Sequence, residues 1–205
     1  MLAAAVLYYF ILGLSFSETM CIMSKSPLSS LCEEFSQSND IRVAMLLGEL
    51  ASTNFDKKTL SSIDRGLRNK IEPFATDPYI SHAFRGEREG AEYFSWDDLD
   101  THNIFICIPE DRIDQWHGAI NLMYAQLFRH LERRPDKHSL QGGHNVQTLV
   151  LMDEFARFGK LETITSAMST LRSKNVNICL VIQSLAQLDM VYGEKAREVP
   201  QNPCT

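Results

Sequence analysis

The first fourteen positions, "MLAAAVLYYFILGL", are apolar on every side, and no capping residue precedes them. That pattern predicts a helix buried all round, one whose true start lies upstream of Met1. The run from Leu2 to Leu14 is too short to cross a bilayer as a helix. It has neither the basic stretch nor the small-x-small site of a secretory signal. "SPLSSLCEEFSQ" offers Ser26 as a cap, Pro27 at the first helical position, and Glu33 and Glu34 in the next turn. "IRVAMLLGELAS" reads as a short apolar helix. "DKKTLSSIDRGLRNKIEPFA" sets Leu60, Ile63, Leu67 and Ile71 at steps of three and four along one helix face, with Pro73 and Pro78 ending it. Residues 1 to about 90 are therefore expected to be helical.

From about residue 100 the pattern alternates. "NIFICIP" is a short apolar run closed by Pro109, and "RIDQWHGAINLMYAQLFRHLERR" is a long amphipathic helix. "VQTLVLM" is a second apolar run, "LETITSAMSTLRSK" a helix, "VNICLVIQ" a third run rich in β-branched residues, and "SLAQLDMVYGEKA" a helix again. Strands alternating with helices predict βαβ crossovers, a parallel sheet and an α/β class. "RPDKHSLQGGHN" is the polar, glycine-containing loop between them.

Composition narrows the picture only slightly. The chain has 205 residues, 44% hydrophobic and 22% charged, enough for one large domain or one plus a smaller one. A net charge of -6 is no bulk signature of a nucleic-acid binder, and it leaves a local groove open. Of five cysteines, none forms a C-x-x-C pair, and Cys107 and Cys179 fall inside apolar runs. They read as small hydrophobes in a reducing, cytosolic compartment, with no metal site of their own. His82, His102, His117, His130, His138 and His144 show no metal spacing and are expected on the surface or in loops.

The chemistry sits at the strand ends. In open parallel sheets, ligands bind outside the carboxyl ends of the strands. "LVLMDEF" is an apolar strand running into Asp153 and Glu154. Nucleotide hydrolysis needs one acidic residue there to orient Mg²⁺ and can use a second to polarise the attacking water. The plainer reading is a strand that ends in acids where it meets solvent. Gln183 closes the next strand, where an amide can contact both a terminal phosphate and the water; otherwise it is a solvated glutamine. Arg172 closes the intervening helix. It either complements the helix dipole or reaches a phosphate in a neighbouring subunit as an arginine finger. A metal-dependent hydrolase without nucleotide would need further carboxylates, and Glu110 and Asp111 are the ones on offer.

Together the stretch "LVLMDEFARFGKLETITSAMSTLRSKNVNICLVIQSLAQLDMVYGE" resembles the TraG/TraD family of conjugative coupling proteins, RecA-like ATPases of type IV secretion systems. The shared pattern is strand, D-E-F, G-K, helix ending in arginine, strand, Q-S-x-x-Q and Y-G. "QSLAQ" with "YGE" favours this family over FtsK-type translocases. "QNPCT" resembles the family's asparagine-cysteine strand approach, though Pro203 interrupts the pair. The resemblance implies a partial RecA-like parallel sheet over 93–205, preceded by an all-α inserted domain with its leading helix over 1–92. It implies that Asp153 orients Mg²⁺, Glu154 activates water, Gln183 senses phosphate and Arg172 acts as a finger across a homo-hexamer interface, with ATP and Mg²⁺ as cofactors. It further implies relaxosome proteins, single-stranded DNA and the type IV secretion channel as partners, at the cytoplasmic face of the bacterial plasma membrane.

One part is absent from the sequence. A phosphate cradle G-x-x-x-x-G-K-[ST] has no match: the sole Gly-Lys pair, Gly159-Lys160, is followed by Leu161. In the resembling family the cradle and the membrane helices precede the inserted domain. The chain is thus expected to be a middle piece, inactive as an ATPase alone, with apolar sheet surface left uncovered. The alternative is a non-catalytic docking module, or a gene remnant, that binds relaxosome partners.

Overall fold

The computed structural model describes residues 1–48, 57–86, 93–137 and 146–193. It divides into two compact units, residues 1–93 and 94–205. The loop residues 138–145, His138 and His144 among them, lie outside the described residues. So does everything from 194 on, including "QNPCT" and Cys204.

The first unit is helical: α1 (Leu2–Ile11), α2 (Phe16–Lys25), α3 (Leu28–Ser36), α4 (Ile41–Leu47), α5 (Lys57–Thr76) and α6 (Pro78–Ala83). Helix α2 opens on a capping box, with Ser15 Oγ accepting from the Glu18 N–H and Glu18 accepting from the Ser15 N–H. Its far end is held by Arg68 of α5, whose guanidinium donates to the carbonyls of Ser24 and Ser26. Met20 and Met23 of α2 are buried, as are Ile71 and Phe74 of α5. The rings of Phe16, Phe74 and Phe84 meet at 5.3 to 5.8 Å.

Three local expectations are corrected here. Pro27 is itself the cap of α3, so the helix begins one residue later and Ser26 instead closes α2. Pro73 does not end α5, which runs on to Thr76. Pro73 falls in the last turn, so only one ladder bond near a frayed end is lost, and its carbonyl still accepts from the Asp77 N–H. Pro78 does act as expected, at the first position of α6 behind the Asp77 cap. Helix α1 is not buried all round. Ala4, Ala5 and Tyr9 are buried, but Phe10 is 72% exposed, because α2, α3 and α4 cover only one side. Among the described residues no helix is long and apolar enough to cross a membrane.

The second unit has α7 (Ile113–Glu132), β1 (Thr148–Met152), α8 (Ile164–Thr170), β2 (Val176–Leu180) and α9 (Leu185–Tyr192). A 3₁₀ turn, Leu171–Lys174, extends α8. Among the described residues the sheet has two strands, paired in parallel with Thr148 opposite Val176 and Met152 opposite Leu180. Ile120, Tyr124, Leu127, Phe128 and Leu131 of α7 join Val150, Met152, Ile164, Ala167 and Leu171 in one core. Arg134 is buried just beyond α7. It donates to Thr148 Oγ1 at 2.6 Å and pairs with Asp100 at 2.6 Å, tying the start of β1 to the 3₁₀ turn Trp96–Asp100.

The strand expectations need two corrections. The run 103–109 is not part of the ladder. Its Phe105 is 85% exposed, and Pro109 has no N–H to give to a partner strand. The other two runs form strands, and among the described residues apolar surface of the sheet is left open, as expected. Leu149 and Leu151 are 63% and 59% exposed, and Cys107 and Cys179 are exposed rather than packed as small hydrophobes.

Two predictions follow from these contacts. Arg134→Met leaves the buried Thr148 hydroxyl without its donor and is expected to lower the unfolding free energy by about 2 kcal/mol, read by urea denaturation. In α4, the hydrogen bond from Arg42 holds the Asp40 carboxyl down at about 2, against an ordinary 3.8. Its contribution to the helix start is complete above the ordinary value and is lost as pH falls through about 2. Exchange of the Arg42 amide followed from pH 5 downward is expected to show that loss, and Asp40→Asn to abolish the dependence.

Candidate functional site

The parallel register brings the carboxyl ends of β1 and β2 side by side. The Val181 N–H donates to the Met152 carbonyl at 2.9 Å, and the Phe155 N–H donates back to the Val181 carbonyl at 3.0 Å. Between these two bonds lie Asp153 and Glu154. Glu154 takes a left-handed backbone, φ 50° and ψ 39°, which costs a residue bearing a Cβ about 1–2 kcal/mol. That turn aims its side chain across the strand ends, where Glu154 Oε1 accepts from Gln183 Nε2 at 2.8 Å. Asp153 is exposed, and its Oδ1 accepts the Glu154 N–H at 2.9 Å. Three of the four residues singled out from the sequence thus lie together.

Arg172 does not join them. It is exposed in the 3₁₀ turn before β2, at the end of the sheet where Thr148 and Val176 pair. The carboxylates lie a strand's length away, roughly 15–20 Å at about 3.3 Å per residue. The turn is anchored there by the Lys137 N–H on the Ser173 carbonyl and by Asp136, which pairs with Lys174 at 3.0 Å.

The carboxylates open onto a cleft of about 520 Å³. Asp153, Glu154, Glu110 and Arg157 line its polar side, and Ile106, Tyr124 and Phe158 its apolar side. Glu110 does not turn to the two carboxylates; it pairs with Arg157 at 3.3 Å. Among the described residues no three His, Cys, Asp or Glu side chains are grouped to hold a metal ion.

Gln187 and Tyr192 fall within the Q-S-x-x-Q and Y-G pattern, which gave them no role; the structure shows both supporting the site. Gln187 donates from Nε2 to Gln183 Oε1 at 3.4 Å, which leaves the Gln183 amide nitrogen facing Glu154. The signal was the spacing of the two glutamines, one helical turn apart behind the Ser184 cap. Tyr192 closes α9. Its hydroxyl accepts the Leu161 N–H at 3.0 Å and donates to the Gly159 carbonyl at 3.3 Å. Burial pushes that hydroxyl above its ordinary pKa. Two histidines expected on the surface or in loops instead sit in α7. His130 stands 3.8 Å from Asp97, and half-buried His117 lies against Gly159. No pattern in the sequence marks that contact.

Gly159 has φ +66°, and a Cβ there would fall 2.2 Å from His117 Nε2. Gly159→Ala is expected to destabilise the chain by about 1–2 kcal/mol through backbone strain and displacement of the ring. His117→Ala in the same chain is expected to recover the ring's share. Thermal melts of the two single variants and the double variant measure both parts.

A family model described as type IV secretory system conjugative DNA transfer matches residues 17–203. Protein VirD4 of Rhizobium rhizogenes is 28% identical over 96 residues, 46% of this chain and 14% of that protein. Protein VirD4 of Agrobacterium fabrum is 27% identical over 96 residues, with the same shares. Among solved structures, the unbound bacterial conjugative coupling protein TrwBdeltaN70 superposes with a TM-score of 0.57 at 19% identity, over 91% of this chain and 42% of that one. The plasmid coupling protein TrwB in complex with ADP and Mg²⁺ gives 0.56 at 18%, over 91% and 43%. The chain therefore spans about a seventh of the VirD4 proteins and under half of the TrwB chains it matches. The fold it shares with TrwB is a partial RecA-like α/β fold.

Proposed function

We propose, since this chain belongs to the type IV secretory system conjugative DNA transfer family, that it carries the water-activating half of a nucleotide site in a coupling ATPase that drives DNA transfer. The observation that carries the reading is the Glu154–Gln183 contact at the carboxyl ends of the paired strands. A carboxylate there orients and deprotonates water, and an amide bonded to it registers whether the terminal phosphate is in place. The complexes of TrwB with ADP and Mg²⁺ and with a non-hydrolysable ATP analogue support the choice of ATP and Mg²⁺.

The residues present fit one side of that ligand. Mg²⁺ takes one or two carboxylates and fills its shell with water and phosphate oxygens. Asp153, exposed and steadied by the Glu154 N–H, is suited to be that carboxylate. When bound, the ion neutralises charge on the phosphates. Glu154 holds and accepts the proton of the attacking water, while Gln183 fixes the Glu154 carboxylate by donating to it. Arg172 stands too far from its own chain's carboxylates to serve them, which favours action on a neighbouring subunit in a homo-hexamer. The phosphate-binding loop is not among the residues of this sequence.

We assign the two parts as residues 1–92, an all-α inserted domain that receives relaxosome proteins, and residues 93–205, the partial nucleotide-binding domain. Single-stranded DNA and the type IV secretion channel complete the partners, at the cytoplasmic face of the bacterial plasma membrane. A second reading keeps only the docking role, and the exposed Ile41, Met45 and Leu46 of α4 favour it.

The two readings part on turnover. The 205-residue chain alone is expected to hydrolyse no ATP. In a protein that joins this segment to a phosphate-binding loop, Glu154→Gln is expected to lower kcat about 10²-fold or more while nucleotide still binds. Unchanged turnover in that variant would take the water-activating role away from Glu154, and no turnover in the joined parent protein would leave only the docking role.

A further inference from the structure

We propose that Tyr192 is a positioning residue for Glu154, acting through Phe155. The proposal rests on the reading of Glu154 as the group that activates water. The left-handed backbone of Glu154 persists only where its surroundings over-determine it. Two backbone bonds act on the turn: the Phe155 N–H on the Val181 carbonyl at 3.0 Å and the Arg157 N–H on the Glu154 carbonyl at 2.8 Å. Asp153 Oδ1 also accepts the Glu154 N–H, and beside these bonds stands a packing constraint on the next residue. The Phe155 ring, 1% exposed, lies against the Tyr192 ring with centroids 5.6 Å apart and planes 14° from parallel.

Tyr192 is itself fixed by contacts that do not involve Glu154. Its hydroxyl bridges the Leu161 N–H and the Gly159 carbonyl. Its backbone ends α9, the helix capped by Ser184 and led by Gln183. One helix therefore presents Gln183 to the Glu154 carboxylate at its start and clamps the residue after Glu154 at its end. Removing the ring frees Phe155 and lets the turn relax out of the left-handed region, so that the carboxylate leaves Gln183.

A thermodynamic cycle separates positioning from packing. Glycine adopts the left-handed region without penalty, so Glu154→Gly is expected to raise the melting temperature of the otherwise unchanged chain by about 3 °C. In Tyr192→Leu, where the turn has relaxed, the same change is expected to give less than half that gain. Tyr192→Phe keeps the stacked ring and is expected to restore the full gain. Tyr192→Met, which fills the space without stacking, is run beside the leucine variant so that the cycle survives if one of them does not fold.

Turnover gives the second readout, in a protein that joins this segment to a phosphate-binding loop. Tyr192→Leu or Tyr192→Met is expected to lower kcat about tenfold with KM within twofold, and Tyr192→Phe to stay within about threefold of the parent, a kcat loss with KM held being that of an interaction made only in the transition state. The absence of a gain from Glu154→Gly in the parent chain, or equal gains in every background, would overturn the proposal, because purely structural effects at the two sites add. If Glu154→Gln leaves turnover intact, the role of Glu154 in water activation fails, while the melting cycle still decides whether Tyr192 holds the turn.

Discussion

The parallel register of β1 and β2 is the constraint on which the rest of the second unit depends. Setting Thr148 against Val176 puts Met152 against Leu180, and the two chains leave the sheet level with each other. That register is what brings Asp153, Glu154 and Gln183 within reach of one another. The same pairing fixes the opposite end, where Arg134 grips Thr148 and the turn carrying Arg172 docks on the loop after α7. A slip of one residue would send every side chain of a strand to the other face. Val150 and Met152 would leave the α7 core for solvent, and Glu154 would lose its amide partner.

The parts of this fold written in short-range pattern were legible. Helices α5 and α7 announce themselves through apolar spacing, and the Asp153-Glu154 pair through its place after an apolar strand. Gln183 was found by the same logic one strand later. What escaped depends on contacts between distant residues or on what covers an element. The run 103–109 has the composition of a strand and no ladder to join. The burial of α1, Cys107 and Cys179 was overestimated because apolar residues record a demand for cover, and a sequence does not say which faces receive it. His117 against Gly159, and Tyr192 on Phe155, join elements far apart in the chain, and no local pattern encodes such a meeting.

The site combines a strained turn with a spare polar network. A carboxylate on a relaxed backbone would swing freely in solvent. Glu154 instead emerges from a left-handed turn between two cross-strand bonds, and its partner Gln183 is held in turn by Gln187. Orientation here comes from backbone geometry and amide polarity rather than from burial, since Asp153 and Gln183 remain exposed. An exposed site of this kind keeps its groups hydrated until a ligand arrives, and the loss of that water on binding strengthens each polar contact.

The two units also differ in when along the chain their contacts become available. The helical unit closes early in the chain, chiefly through α2 against α5 and α1 against α4. The sheet exists only once β2 has found β1 across the whole of α8, a closure whose entropy must be met before any ladder bond rewards it. During synthesis the helical unit can complete its core while β2 is still unmade. The carboxylate site is consequently among the last features to form. For an interval the nascent chain carries a β1 with both edges open and Leu149 and Leu151 uncovered, a species for chaperones to hold.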